Sequence, residues 1–191
     1  TKVRGDTITF DYAAKGSQRR VQKIEDAEIA GLVRSLRGRR GGGHELLAFK
    51  HGSRWRDVRS EDINDYVKGA TAGDFTAKDF RTWNATVLAA VALATSARER
   101  PPQSSAARTR AKRLAVKETA RLLGNTAAVA RASYIDPRVF DRFDGGLTIG
   151  GVIDRLPEDP DDWPQVQGPI EKAVLDLLQK RESPAIEKLK S

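Results

Sequence analysis

Cysteine and methionine are absent from this 191-residue chain, and histidine occurs only twice, at His44 and His51. Without cysteine there is no disulfide framework, no thiolate zinc site and no thiol nucleophile. Two histidines, one beside a glycine run and one in a Gly-Ser turn, are too few for a His-rich metal centre and read as surface residues. Long apolar runs are missing too: none approaches a membrane span, and no signal-peptide pattern opens the chain. Gly41-Gly42-Gly43 lacks the following Lys-Ser/Thr of a phosphate-binding loop, so no nucleotide or other cofactor is expected. Position 1 is Thr1 rather than methionine. Either an initiator was removed, or the chain belongs to a longer protein.

What is present is positive charge, unevenly placed. Lys and Arg number 34 against 26 Asp and Glu, a net charge of +8. Residues 1–60 carry 14 basic against 7 acidic side chains, and residues 98–134 carry 9 against 2. Residues 61–97 carry 3 against 5, and residues 135–191 carry 8 against 12. Two basic blocks around an apolar helix, then an acidic tail, form the asymmetry of a domain that faces a polyanion. A solvated basic surface is the plainer alternative.

Alternation over residues 3–12 predicts a strand, and its return over 19–24 makes a β-hairpin with Lys15 at the tip. Helical spacing follows at Ile29, Leu32, Val33 and Leu36, then a flexible basic loop over 39–43. Ser60 opens a helix carrying Ile63, Tyr66 and Val67, with Tyr66 in its core. Thr76 to Asp79 has the form of a capping box ahead of the longest apolar helix, through Trp83, Val87, Leu88, Val91 and Leu93. Pro101-Pro102 breaks it, and a second long helix runs over about 104–123 to Gly124. Asn125 caps a short helix leading to Tyr134. Residues 156–169 read as a linker and 169–180 as a last amphipathic helix. The fold class is α+β, mostly α-helical, with a small β-hairpin or sheet at the N-terminal end.

Several side chains carry chemistry. Lys78 and Arg81, three apart, share one face of a helix start, where fixed cations make sense if an anion sits there; an exposed pair partnered by Asp74 and Asp79 is the alternative. Arg110, Arg113, Lys117 and Arg121 recur at three- and four-residue steps as one basic stripe, interrupted only by Glu118, while Ala111, Ala115, Thr119, Leu122 and Leu123 turn the other way. A phenol is a poor nucleophile near neutral pH, since tyrosine titrates near about 10. Tyr134, at the end of the most basic block, is either a packed aromatic or a nucleophile activated by neighbouring cations. Asn125 is either a routine cap or an amide donor.

The segments Lys78-Asp79-Phe80-Arg81-Thr82-Trp83, Leu123-Gly124-Asn125-Thr126 and Arg131-Ala132-Ser133-Tyr134 resemble the catalytic core of type IB DNA topoisomerases, most closely the small bacterial and poxvirus branch. The resemblance runs from the Lys15 hairpin to about Gly150. It implies a catalytic domain over 1–150, followed by an acidic linker and C-terminal helix over 151–191. It implies double-stranded DNA as partner, a nucleoid-associated cytoplasmic setting, and no metal or ATP. By the same resemblance Tyr134 is the nucleophile that forms a 3′-phosphotyrosyl link and Arg81 binds the scissile phosphate. Lys15 is the acid that protonates the leaving 5′-oxygen, Asn125 is a hydrogen-bond donor, and Lys78 contacts DNA near the same phosphate. Arg110, Arg113, Lys117, Arg121 and Arg131 are the expected DNA-binding residues.

Two departures stand out. Many members have histidine where this chain has Asn125, which donates a hydrogen bond but shuttles no proton near pH 7. The family also uses a further upstream arginine and an amino-terminal clamp domain, neither of which the chain contains. The expectation is a C-terminal catalytic portion of a larger enzyme that binds DNA weakly and cleaves poorly or not at all by itself. Tyrosine recombinases share the chemistry but carry a His-x-x-Arg segment before the tyrosine. A non-catalytic DNA-binding module of the same fold is the reading from another class.

Overall fold

The computed structural model describes residues 1–13, 19–153 and 163–189. It forms two compact units, Thr1–Asp74 and Phe75–Ser191.

In the first unit, strands β1 (Lys2–Arg4), β2 (Thr7–Ala13) and β3 (Arg19–Glu25) make an antiparallel sheet in that order. The β2–β3 register runs from Thr7 opposite Glu25 to Ala13 opposite Arg19, so the expected hairpin is present. Its tip residue, Lys15, lies outside the described residues. The single strand expected over 3–12 is two strands, because Gly5 turns the chain at φ 54°. Helix α1 (Ala27–Arg37) starts at Asp26, whose carboxylate accepts the Ile29 N–H at 2.8 Å. Ala30 and Val33 close on Ile8, with Val3, Phe10 and Leu46 around them. Ile29 and Leu32 are exposed instead.

The loop after α1 is not a free basic stretch. Arg39 is buried there and donates to the carbonyls of Leu36 (2.8 Å), Leu46 (2.9 Å) and Glu45. Its guanidinium lies 5.9 Å from the ring centre of Trp55, on the hairpin β4 (Ala48–His51) and β5 (Arg54–Asp57). Gly42 sits at φ 90°, and a Cβ there would meet the Trp55 Cβ at 2.9 Å. The glycines let the backbone lie against a tryptophan. Helix α2 (Ser60–Thr71) is capped at Arg59, one residue before the expected Ser60, with Asp62 accepting the Arg59 N–H at 2.7 Å. It buries none of its residues, and Tyr66 is 77% exposed rather than part of a core. The small core of this unit is filled from α1 and the sheet.

The second unit is a helical assembly around α3 (Ala77–Glu99) and α4 (Ser105–Leu123). Of the apolar residues read along α3, Leu93 is buried, while Trp83, Val87, Leu88 and Val91 are only partly buried. The buried side of α3 is Ala85, Thr86, Ala89, Ala90, Leu93, Ala94 and Ala97, facing Ala111, Ala115, Val116, Thr119 and Ala120 of α4. Such small side chains let two backbones approach closely, and a periodicity search that weights large residues passes over them. Short helices α5 (Ala127–Ser133) and α6 (Arg138–Asp144) follow, then β6 (Leu147–Thr148) and α7 (Gly150–Ile153).

Helix α8 (Trp163–Gln179) begins earlier than the sequence indicates and accommodates Pro169 within it. It is no appendage: Ile170, Ala173, Val174, Leu177 and Leu178 are buried in the same core as α3 and α6. Strand β7 (Glu187–Lys188) pairs antiparallel with β6. A Cβ on Gly151 would lie 2.2 Å from the Pro184 carbonyl, so glycine is what admits the returning chain. Of the expected linker, residues 156–162 lie outside the described residues. Among the described residues no helix is long and apolar enough to cross a membrane.

Candidate active site

The first turn of α3 is built as its sequence indicates. Asp79 accepts from the Thr76 N–H (2.8 Å) and the Thr76 hydroxyl (2.7 Å), and these hydrogen bonds hold its carboxyl below the usual carboxylate range. Asp79 is thereby committed to the cap, and Asp74 pairs with Lys68 at 2.7 Å. Neither acid forms an ion pair with Lys78 or Arg81. Lys78 is exposed and has no ion-pair partner among the described residues.

Arg81 is half-buried one turn into α3. Its Nη2 donates to the Leu123 carbonyl at 2.7 Å, at the end of α4, where unpaired carbonyls and the negative end of the helix dipole favour a cation. Its guanidinium carbon lies 5.1 Å from the centre of the Tyr134 ring, and its Nε is buried with no hydrogen-bond partner among the described residues. The Arg81–Leu123 bond also shows that α3 and α4 run antiparallel, since it joins the start of one to the end of the other.

Helix α4 stops where Gly124 adopts φ 65°. The Gly124 N–H donates to the Arg121 carbonyl (3.2 Å) and the Asn125 N–H to the Ala120 carbonyl (2.8 Å), the bonding of a glycine-terminated helix end. Asn125 is not the cap of α5, contrary to what its position indicates. Thr126 holds that place and accepts the Val129 N–H at 3.3 Å. The Asn125 side chain is therefore free of capping, and its Nδ2 is buried without a hydrogen-bond partner among the described residues. Asn125 follows two positions after Leu123, whose carbonyl Arg81 grips, and its orphaned amide is a donor with capacity for an acceptor.

Tyr134 ends α5, half-buried against the helical core. Its backbone N–H bonds to the Ala130 carbonyl at 3.1 Å, and its hydroxyl has no hydrogen-bond partner among the described residues. Two residues on, Asp136 is bound by Arg138 (Nη2 to Oδ2, 2.7 Å), which holds its carboxyl below the usual range. The structure thus brings Arg81 and Tyr134 together, with Asn125 two residues along the chain from the Leu123 carbonyl that anchors Arg81.

The basic residues of α4 divide by face. Arg108 donates to the Asp144 carbonyl at 2.6 Å, and Lys112 binds the Asp144 carboxylate, so both clamp the end of α6. Arg110, Arg113 and Lys117 are exposed with no acidic partner among the described residues. Arg121 is exposed but paired with Glu118 (Nε to Oε2, 3.1 Å), which lowers the Glu118 pKa. Leu122, expected on the inner side, is 46% exposed. Arg131 lies over the Phe140 ring at 4.9 Å and is exposed beside Tyr134. Sequence reasoning does not single out Thr86, whose hydroxyl meets the Tyr134 segment; a lone threonine in an alanine-rich helix gives no signal.

These features define a helical domain with an arginine–tyrosine centre and a partly unneutralised cationic helix face. The family described as eukaryotic DNA topoisomerase I, catalytic core, matches residues 1–143, and the chain belongs to it. A DNA topoisomerase 1B from Acanthamoeba polyphaga mimivirus is 30% identical over 137 residues, which is 70% of this chain and 41% of the relative. The chain spans about two fifths of the length of that curated relative.

Proposed function

We propose that this chain supplies the transesterification chemistry of a type IB DNA topoisomerase, acting on double-stranded DNA without metal or ATP. Tyr134 attacks a backbone phosphorus, the bond to the 5′-oxygen breaks, and a 3′-phosphotyrosyl link holds the strand end. The released 5′-hydroxyl reverses the step after strand rotation. Because the phosphotyrosyl bond conserves the energy of the broken bond, no nucleotide is consumed. The observation that carries this reading is the Arg81 guanidinium, tethered to the Leu123 carbonyl and lying 5.1 Å from the Tyr134 ring.

Arg81 stabilises charge on the non-bridging oxygens, and the orphaned Nδ2 of Asn125 donates to one of them. Lys15 is assigned the proton donation to the 5′-oxygen on resemblance alone; a positioned donor is worth roughly 10²–10⁴-fold. Lys78, Arg110, Arg113, Lys117, Arg121 and Arg131 contact the DNA backbone, Arg121 by giving up Glu118. The relaxation of supercoiled DNA by the whole protein, with the amino-terminal clamp its relatives carry, is part of the same proposal.

A suicide duplex, nicked so that the strand beyond the cut diffuses away, traps the covalent step. With the chain restored to the whole protein, the expected result is a protein–DNA adduct for the native sequence and none for Tyr134→Phe. An adduct that survives Tyr134→Phe removes Tyr134 as nucleophile. Relaxation of plasmid without a defined site, rather than exchange between two sites, separates the topoisomerase from a recombinase.

A further inference from the structure

Every backbone N–H of the segment Tyr134–Ile135–Asp136 has a located partner. Those of Tyr134 and Ile135 both go to the Ala130 carbonyl, at 3.1 and 3.0 Å. The third goes elsewhere: the Asp136 N–H donates to the hydroxyl of Thr86 at 3.1 Å, across 50 positions of sequence. Thr86 lies on α3, five residues after Arg81, and is 1% exposed. Its hydroxyl donates to the Thr82 carbonyl at 2.8 Å and stands 3.5 Å from the Tyr134 carbonyl. The Asp136 carboxylate is occupied by Arg138, and the Ile135 side chain is buried, so the peptide after the tyrosine is fixed on several sides.

We propose that Thr86 is a positioning residue for Tyr134, tying the peptide that follows the phenol to the helix that carries Arg81. This rests on Tyr134 being the nucleophile. A hydroxyl can do it because it both donates and accepts, satisfying its own helix while taking the Asp136 N–H. Valine has the same shape but no acceptor, so the part-buried Asp136 N–H loses its partner and the segment is free to shift. Displacements of about 1 Å in a reacting group cost up to about 10²-fold in rate.

The test compares the native sequence with Thr86→Val and Thr86→Ser, each in the whole protein, on the suicide duplex at protein concentrations that saturate the DNA. Thr86→Val is expected to slow adduct formation by about 10-fold or more, with non-covalent DNA affinity unchanged within about 2-fold. Thr86→Ser, which restores the hydroxyl, is expected to return the rate to near native. Amide exchange at Asp136 reports the bond itself, accelerated in Thr86→Val and not in Thr86→Ser. A native adduct with an undiminished rate in Thr86→Val overturns the positioning role alone. So does equal slowing by both variants, which marks a general packing defect. No adduct from the native whole protein overturns the nucleophile assignment and this inference with it.

Discussion

Among the site residues, Asn125 is set apart by a single chemical capacity. An amide donates but does not titrate, so the proposed reaction carries no histidine-like step at this position. Asn125→His is expected to introduce an inflection between about pH 5 and 8 in the cleavage rate, measured under single-turnover conditions against a native profile without it. Asp136 gives a second pH signature, in stability. Its carboxyl is depressed by Arg138, so the pair contributes fully above the ordinary aspartate range near about pH 4. That contribution is lost as pH falls through the lower value of the folded state. Thermal melts should therefore show a steeper acid loss for the native chain than for Asp136→Asn, which lacks the charge at every pH. Both residues lie in or beside the motif segments that the sequence displays. What the sequence hides is their surroundings: the Arg81–Leu123 and Asp136–Thr86 bonds join atoms 42 and 50 positions apart.

Helix α4 separates two kinds of cation that composition lumps together. Arg110, Arg113 and Lys117 have no acidic partner among the described residues, whereas Arg108 and Lys112 are engaged by Asp144. Replacing the first three by alanine is expected to weaken DNA binding and to lower the salt slope by about 0.9 for each phosphate no longer neutralised. Replacing Arg108 and Lys112 should instead lower the melting temperature and leave the slope near native. Binding titrations at several salt concentrations, alongside melts, distinguish the two sets. Three- and four-residue spacing makes the stripe legible, and Ser104 and Gly124 mark the ends of the helix. The α3 face escapes sequence reasoning for a physical reason: alanine is weakly hydrophobic, yet it is what close helix packing requires. Leu122 and Tyr66 fail differently, since amphipathic spacing shows a face without showing what covers it.

For the molecule as a whole, the C-terminal segment matters more than its composition indicates. The family match ends at residue 143, but α8 lies in the same core as α3 and α6. Burying a large aliphatic side chain contributes about 1.5–3 kcal/mol, and α8 buries Ile170, Val174, Leu177 and Leu178. A chain ending at Ile153 is expected to lose its cooperative melt and much of its helical circular dichroism. A native-like melt from that shortened chain would show α8 to be dispensable. The seam between α3 and α4 has a mechanical meaning as well. Methyl groups offer no long lever to bend, and Arg81 straps the first turn of one helix to the last peptide of the other. A pull on either rod is shared by both, so the guanidinium facing the Tyr134 ring keeps its place relative to the two longest helices at once.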